Sequence, residues 1–313
     1  MNITTDTTFY FRTMGTGVSS DAEFYVSDLL ETCSVTTVAG APGTGKTALI
    51  LQLTDSLITG KDFCGLKVNR KAKVLWVQYD STSNQFERYC TRYCPGVTFP
   101  ALTLDGMKRV NIADSILEFK EVIKQMGVDV IVFDTLSTCV KSVDQNNNDE
   151  MTKVYENLIA LANDGISSIV LHHMSKGEYG ISTNVRGASA ITASTYNEWK
   201  LIETSTGVEF RITKSREVEK RTVCTLNVGY DNVSILETKN INQQRLNTLL
   251  AKLKERGSMT RTEAQEAINV KHNVTAKPIL DALSLLPEVS KSKVGKADVY
   301  TYVGTKGNYE AQV

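Results

Sequence analysis
Proline is scarce, histidine scarcer, and neither sign of charge prevails. The 313-residue chain has five prolines and three histidines, and its 35 Lys/Arg are balanced by 35 Asp/Glu. A zero formal charge removes any global electrostatic case for a polyanionic partner, so such a partner must be held by local patches. No apolar run approaches the roughly 20 residues that span a bilayer, and no membrane partner is expected. The six cysteines, at 33, 64, 90, 94, 139 and 224, follow no disulfide framework. No signal peptide is read at the start, and a reducing, cytoplasmic setting is the expectation. Cys90 and Cys94 stand four apart, but no second Cys/His pair nearby completes the four ligands of a structural zinc. What the chain does have is 41% hydrophobic and 22% charged residues, ordinary for a globular protein. Its length allows one large domain or two unequal ones.

The most specific stretch is "SVTTVAGAPGTGKTALILQLTDSLITG". It alternates as a strand, breaks on glycines, then places Leu49, Ile50, Leu53 and Leu57 at helical spacing. Gly40, Gly43, Gly45, Lys46 and Thr47 fit G-x-x-x-x-G-K-[ST], with Thr44 and Ala48 completing the candidate ATP-binding segment. Glycines are needed because only a chain without Cβ lets several backbone N–H groups converge on a phosphate. The helix start adds its positive dipole end, Lys46 would meet the β- and γ-phosphates, and the Thr47 hydroxyl would ligate Mg²⁺. Further on, "VDVIVFDTLSTCV" reads as a buried strand ending at Asp134, the expected second holder of Mg²⁺. Thr135 occupies the next position, where many P-loop ATPases carry their water-activating glutamate.

Four segments occur in order: "LITGKDFCGLKVNRKAKVLWVQYDS", "VIVFDTLS" with "NNNDEM" beyond it, "IVLHHMSK" and "RGASAI". Together, over roughly residues 22 to 228, they resemble the RepA-type, RecA-like hexameric replicative helicases of plasmids and phages, relatives of the DnaB-type helicases. The resemblance implies a catalytic base at the end of the strand after the P-loop helix. Here that acid is Asp80, one methylene shorter than the family's usual glutamate, and a solvated strand-end acid is the competing reading. It also implies that the strand after Asp134 ends at the γ-phosphate. His173 would then report the phosphate through a hydrogen bond, with His172 its neighbour. A buried core histidine is the alternative; a metal site is disfavoured because adjacent strand residues point to opposite faces.

The same resemblance places two loops in the channel of a ring, with Lys141 and Lys176 as contacts to single-stranded DNA. Each lysine is otherwise read as part of a surface loop. Arg186 would meet either DNA or the neighbouring subunit. "GVEFRITKS" alternates as a strand, and the DnaB-like pattern implies that Lys214 and Arg216 at its end reach the adjacent subunit's γ-phosphate. Solvated charge at a hairpin end is the plain alternative.

Composition changes near "LETKNINQQ". Leu246, Leu249, Leu250 and Leu253 then line one side of a helix, a second helix is capped by Thr260 or Thr262, and a third carries Pro278 in its first turn. A hairpin turning at Gly295 follows, and the whole resembles a winged helix-turn-helix. Residues 241–313 hold 11 Lys/Arg and 7 Asp/Glu. Lys271, Lys277, Lys291, Lys293 and Lys296 gather on the third helix and hairpin, a pattern suited to DNA. Packing against another replication protein is the competing role.

The expected fold is therefore α/β. It comprises an N-terminal arm (1–21), a RecA-like P-loop ATPase domain with a central, mostly parallel sheet (22–235), a linker (236–242), a winged helix-turn-helix (243–304) and a tail (305–313). The expected function is an ATP- and Mg²⁺-dependent ring motor on single-stranded DNA, a replicative helicase of a mobile element. Its expected partners are copies of itself in a hexamer, duplex DNA through the winged helix, and primase or other replication proteins. A non-motor ATPase switch that loads or regulates other proteins is the alternative.

Overall fold
In the computed structural model of the chain, the described residues are 22–106, 109–141, 143–174, 189–229, 233–238, 241–270 and 273–304. The N-terminal arm, Lys176, Arg186, Lys271 and the tail lie outside them.

A short hairpin, β1 (Phe24–Val26) and β2 (Leu30–Glu31), leads into β3 (Val35–Gly40), whose six residues are all buried. The glycine-rich loop follows, then α1 (Lys46–Thr59), the predicted strand–loop–helix. Next come β4 (Val74–Gln78), α2 (Ser83–Tyr93), β5 (Ala101–Leu102), α3 (Ile116–Gln125) and β6 (Val130–Asp134). A reciprocal bond between Thr82 and Gln85 caps α2. One helical turn, α4 (Leu136–Cys139), separates β6 from α5 (Asn148–Asn163), where Asn147 accepts from the N–H groups of Asp149 and Glu150. Then β7 (Ser167–His173), α6 (Ser189–Ser194), β8 (Asn197–Thr204), β9 (Gly207–Lys214), β10 (Arg221–Val228) and β11 (Val233–Thr238) complete the larger unit.

These strands form a nine-stranded sheet in the order β11-β10-β9-β8-β3-β7-β6-β4-β5. From β8 to β5 all neighbours are parallel, whereas β9, β10 and β11 extend the sheet antiparallel. Period-2 alternation supplies a core on each face. Val38, Trp76 and Leu171 join Leu49, Leu53 and Trp199 on one side, and Val35, Val77, Phe133 and Val170 join Tyr155 and Leu158 on the other. The parallel half is covered on both faces, so its strands read as continuous apolar runs. Among the described residues no helix is long and apolar enough to cross a membrane.

The C-terminal unit runs α7 (Ile241–Arg256), β12 (Ser258–Thr260), α8 (Arg261–Ala267), α9 (Asn273–Ser284), β13 (Val289–Val294) and β14 (Ala297–Tyr302). Its sheet order is β12-β14-β13. Leu249, Leu253, Met259, Ile279, Leu283 and Tyr300 form a separate core. Thr260, not Thr262, caps α8 through Glu263. Two boundaries differ from expectation. Residues 236–238, read as the start of the linker, belong to β11, while α7 opens at Ile241 as its leucine spacing suggests. Pro278 falls in the second turn of α9, where it lacks the N–H for the carbonyl four residues back.

The two units meet at Asp28, in the β1–β2 turn. Its carboxylate accepts from Arg245 of α7 at 2.6 Å, and its carbonyl accepts from Arg221 of β10 at 2.8 Å. Asp28 and Arg245 are both buried, each about 6% exposed.

Candidate active site
β3, β6 and β4 all point their C-terminal ends at one place, because they are parallel and neighbours through β7. Ligands of open α/β sheets bind outside such ends. A cavity of about 660 Å³ lies there, lined by the phosphate loop, Asp80, Asp134, Thr135 and His173.

The loop leaves β3 at Gly40, where an added Cβ would meet the Thr44 hydroxyl at 2.7 Å. Gly45 adopts φ 83°, a left-handed conformation that other residues rarely take, and starts α1. The Thr44 hydroxyl turns back onto the Ala41 carbonyl at 2.9 Å. Lys46 donates to the carbonyls of Gly40 and Ala41, each at 2.9 Å. Burial pushes its ammonium down to about 8, against the pull of Asp134 and Asp80.

Thr47 donates to one Asp134 oxygen at 2.9 Å, and the other oxygen is buried with no hydrogen-bond partner. Burial drives the Asp134 carboxyl up to about 7, and Asp80 adds to the effect; the Thr47 bond and Lys46 oppose it. A hydroxyl bonded to a carboxylate that has an orphaned oxygen is a donor set suited to a hard divalent cation. The residues present therefore fit Mg²⁺, with Thr47 and Asp134 as its holders.

Asp80 lies two residues beyond β4, exposed, and borders both this cavity and a smaller one of about 270 Å³ shared with Thr47, Gln78 and Asp134. His173 is the last residue of β7 and is in register with Gly40 on the adjacent β3. It lines the nucleotide cavity and also a second of about 360 Å³, formed with His172, Ser137 and Asp144–Asn146 of the segment after β6. His173 thus stands between the phosphate loop and the loop that carries Lys141, which is itself exposed.

Sequence reasoning missed the far wall of the cavity. Tyr89 and Tyr93 come from α2, Val228 and Val233 from β10 and β11, and Gly229 from just after β10. Gln52 of α1 holds this hairpin by donating to the Val233 carbonyl at 2.8 Å. The valine side chains also reach Gly45, where an added Cβ would meet Val233 at 3.1 Å. A Gly45→Ala variant would thus be strained in backbone and in space at once, and is expected to bind ATP at least about tenfold more weakly by equilibrium titration.

Lys214 and Arg216 do not line this cavity. Lys214, expected to meet the adjacent subunit's phosphate, donates within its own chain to the carbonyls of Thr192, Ala193 and Thr195 at 2.6, 3.0 and 2.8 Å. Three bonds occupy all three protons of the ammonium in the nucleotide-free chain. Arg216 is exposed, with its guanidinium 4.3 Å from the centre of the Tyr196 ring. In the C-terminal unit Lys277, Lys293 and Lys296 are exposed, and Lys291 is exposed but pairs with Asp298 at 3.2 Å.

A family model described as an AAA domain matches residues 19–178. That span carries the phosphate loop, Asp80, Asp134 and His173. No curated protein matches the chain.

Proposed function
The chain belongs to the AAA domain family of P-loop ATPases, and on that footing we propose that it is a RecA-like ring motor driven by ATP on single-stranded DNA, a replicative helicase of a mobile element. The observation that carries this reading is a division of labour. The phosphate loop, Asp134, Asp80 and His173 share one cavity, while Arg216, exposed and stacked on Tyr196, lies outside it, which suits an arginine supplied to the site of an adjacent copy. A hexamer assembled in this way completes each site with its neighbour's arginine.

In the proposed reaction the loop N–H groups and the start of α1 hold the phosphates. Lys46 would leave the two loop carbonyls for the β- and γ-oxygens, and Thr47 with Asp134 would hold Mg²⁺. Held there, the ion would supply positive charge to offset that of the phosphates. Asp80 orients the attacking water and accepts its proton. His173 donates to the γ-phosphate and loses that bond after hydrolysis. Because it also borders the segment after β6, the loss would be felt at Lys141 and, with Lys176 and Arg186, at the DNA.

The C-terminal unit is proposed to be a winged helix-turn-helix. Its order of helix, strand, two helices and hairpin supports this, as do the exposed Lys277, Lys293 and Lys296. Duplex DNA, primase or another replication protein would dock there. One observation favours the switch reading: Asp80 is short and exposed, which suits slow hydrolysis.

The test is a subunit-mixing experiment. Arg216→Ala protein alone is expected to lose about 10³-fold or more in DNA-stimulated ATP turnover. Mixed with wild type, it is expected to depress activity more steeply than its share of subunits. A loss merely proportional to dilution would sink the shared-site ring.

A further inference from the structure
We propose that Lys214 and Tyr196 are positioning residues for Arg216, forming a brace that fixes the arginine against the subunit's own phosphate-loop strand. This rests on the reading of Arg216 as an arginine supplied to a neighbouring site, and it replaces the phosphate contact expected of Lys214.

The brace begins with α6. Its start is tied to α5, where Asn148 accepts from the Ser189 hydroxyl at 3.1 Å and the Ala190 N–H at 3.0 Å. The end of α6 and the residue after it offer the carbonyls of Thr192, Ala193 and Thr195, all taken by Lys214 at the end of β9. Carbonyls at a helix end carry partial negative charge and favour a cation. Partial burial and the nearby Arg216 both hold the Lys214 ammonium below its ordinary range.

The chain leaving α6 is anchored in turn. The Thr195 hydroxyl donates to the Val35 carbonyl at 3.1 Å and accepts from Thr37 at 3.0 Å. The Tyr196 N–H donates to the same Val35 carbonyl at 2.9 Å. Val35 and Thr37 belong to β3, the strand that ends in the phosphate loop. Tyr196 is thereby fixed to β3 by backbone, and its ring supports the Arg216 guanidinium at 4.3 Å. Arginine stacks on an aromatic face by cation–π attraction, which restricts an otherwise mobile side chain before it meets phosphate. Lys214 supplies the second restraint by holding the β9 end, two residues before Arg216. A subunit's arginine is then rigidly referred to its own phosphate loop while acting on the site next door.

The experiment measures kcat and KM for ATP, with Mg²⁺ and single-stranded DNA, on the full chain. Lys214→Met is expected to lower kcat about tenfold while KM stays within about twofold, and to add no further loss in an Arg216→Ala background. A further loss in that background, or a rise in KM, would show Lys214 touching nucleotide and overturn the brace. Tyr196→Phe keeps the ring face and is expected to stay within about twofold of wild type, whereas Tyr196→Ala should fall about fivefold or more in kcat. Equal loss in both tyrosine variants overturns the stacking role, and this arm stands even if Lys214→Met fails to fold. Unchanged turnover in Arg216→Ala would remove the arginine from catalysis altogether, an outcome distinct from failure of the brace.

Discussion
Asp134→Asn is expected to abolish Mg²⁺-dependent ATP hydrolysis while making the nucleotide-free protein more stable at alkaline pH. The catalytic half follows from the donor set. Thr47 and Asp134 are the groups whose bonding leaves a buried oxygen for a cation. An amide is a far weaker partner than a carboxylate for Mg²⁺, and losing one such electrostatic element typically costs about 10²–10³ in rate. The stability half follows from burial. In the folded chain the Asp134 carboxyl is raised from 3.8 to about 7, first by burial and then by Asp80.

The sign is unusual for an aspartate. Between those two values the folded state binds more protons than the unfolded state, so stability falls as pH rises from about 4 through about 7. Above that range the full penalty is present, and asparagine removes it. Thermal melts of wild type and Asp134→Asn at low and at alkaline pH check this. The variant should gain only in the alkaline arm, by an amount on the order of a few kcal/mol. Lys46 behaves conversely: its value is lowered from 10.5 to about 8, so its own penalty is present below about 8 and fades as pH rises toward 10.5. Both charges are held where water cannot stabilise them. Such a site gives up folding stability for strong interaction with a multiply charged ligand.

What was legible in the sequence was local. The phosphate loop needs glycines and a lysine within a few residues, and Asp134 and His173 each end an apolar run, so strand ends could be read directly. The strand Gly207–Lys214 emerged from its alternation. What was not legible depends on chain segments that meet only after folding. Tyr89, Tyr93, Val228 and Val233 enclose the cavity from α2 and from a hairpin more than a hundred residues later, and no spacing rule links them. Lys214 illustrates a subtler limit. Its place two residues before Arg216 suggested a shared phosphate, and no spacing rule foresaw the bonds it makes to the carbonyls at the end of α6. The segment 236–242 reads as coil from its polar residues, whereas Glu237 and Thr238 pair with β10 as the end of edge strand β11.

The second large effect is expected at Asp28, 217 residues from its partner Arg245 and equally invisible to local patterning. Asp28→Ala should destabilise the protein by about 3–5 kcal/mol, because removing one partner of a buried ion pair leaves the other charge uncompensated. Here the effect is compounded, since Arg221 also points into this turn, and burial already pushes its guanidinium down to about 10. Arg245→Met also strands a buried charge, the Asp28 carboxylate, but should be milder because the nearby Arg221 charge still offsets it and the methionine can fill part of the vacated space. The double variant Asp28→Ala/Arg245→Met should recover part of the loss of Asp28→Ala, as no arginine of α7 then remains stranded. Denaturant titration of the three variants measures this, and simple additivity would mean that the pair contributes nothing. The pair joins α7 to the β1–β2 turn, so its loss should also separate the melting of the two units. A C-terminal unit with its own core of Leu249, Leu253, Ile279 and Tyr300 can stay folded after release. Two resolved transitions in calorimetry of Asp28→Ala, where wild type shows one, would identify Asp28 as the point at which the stabilities of the two units are coupled.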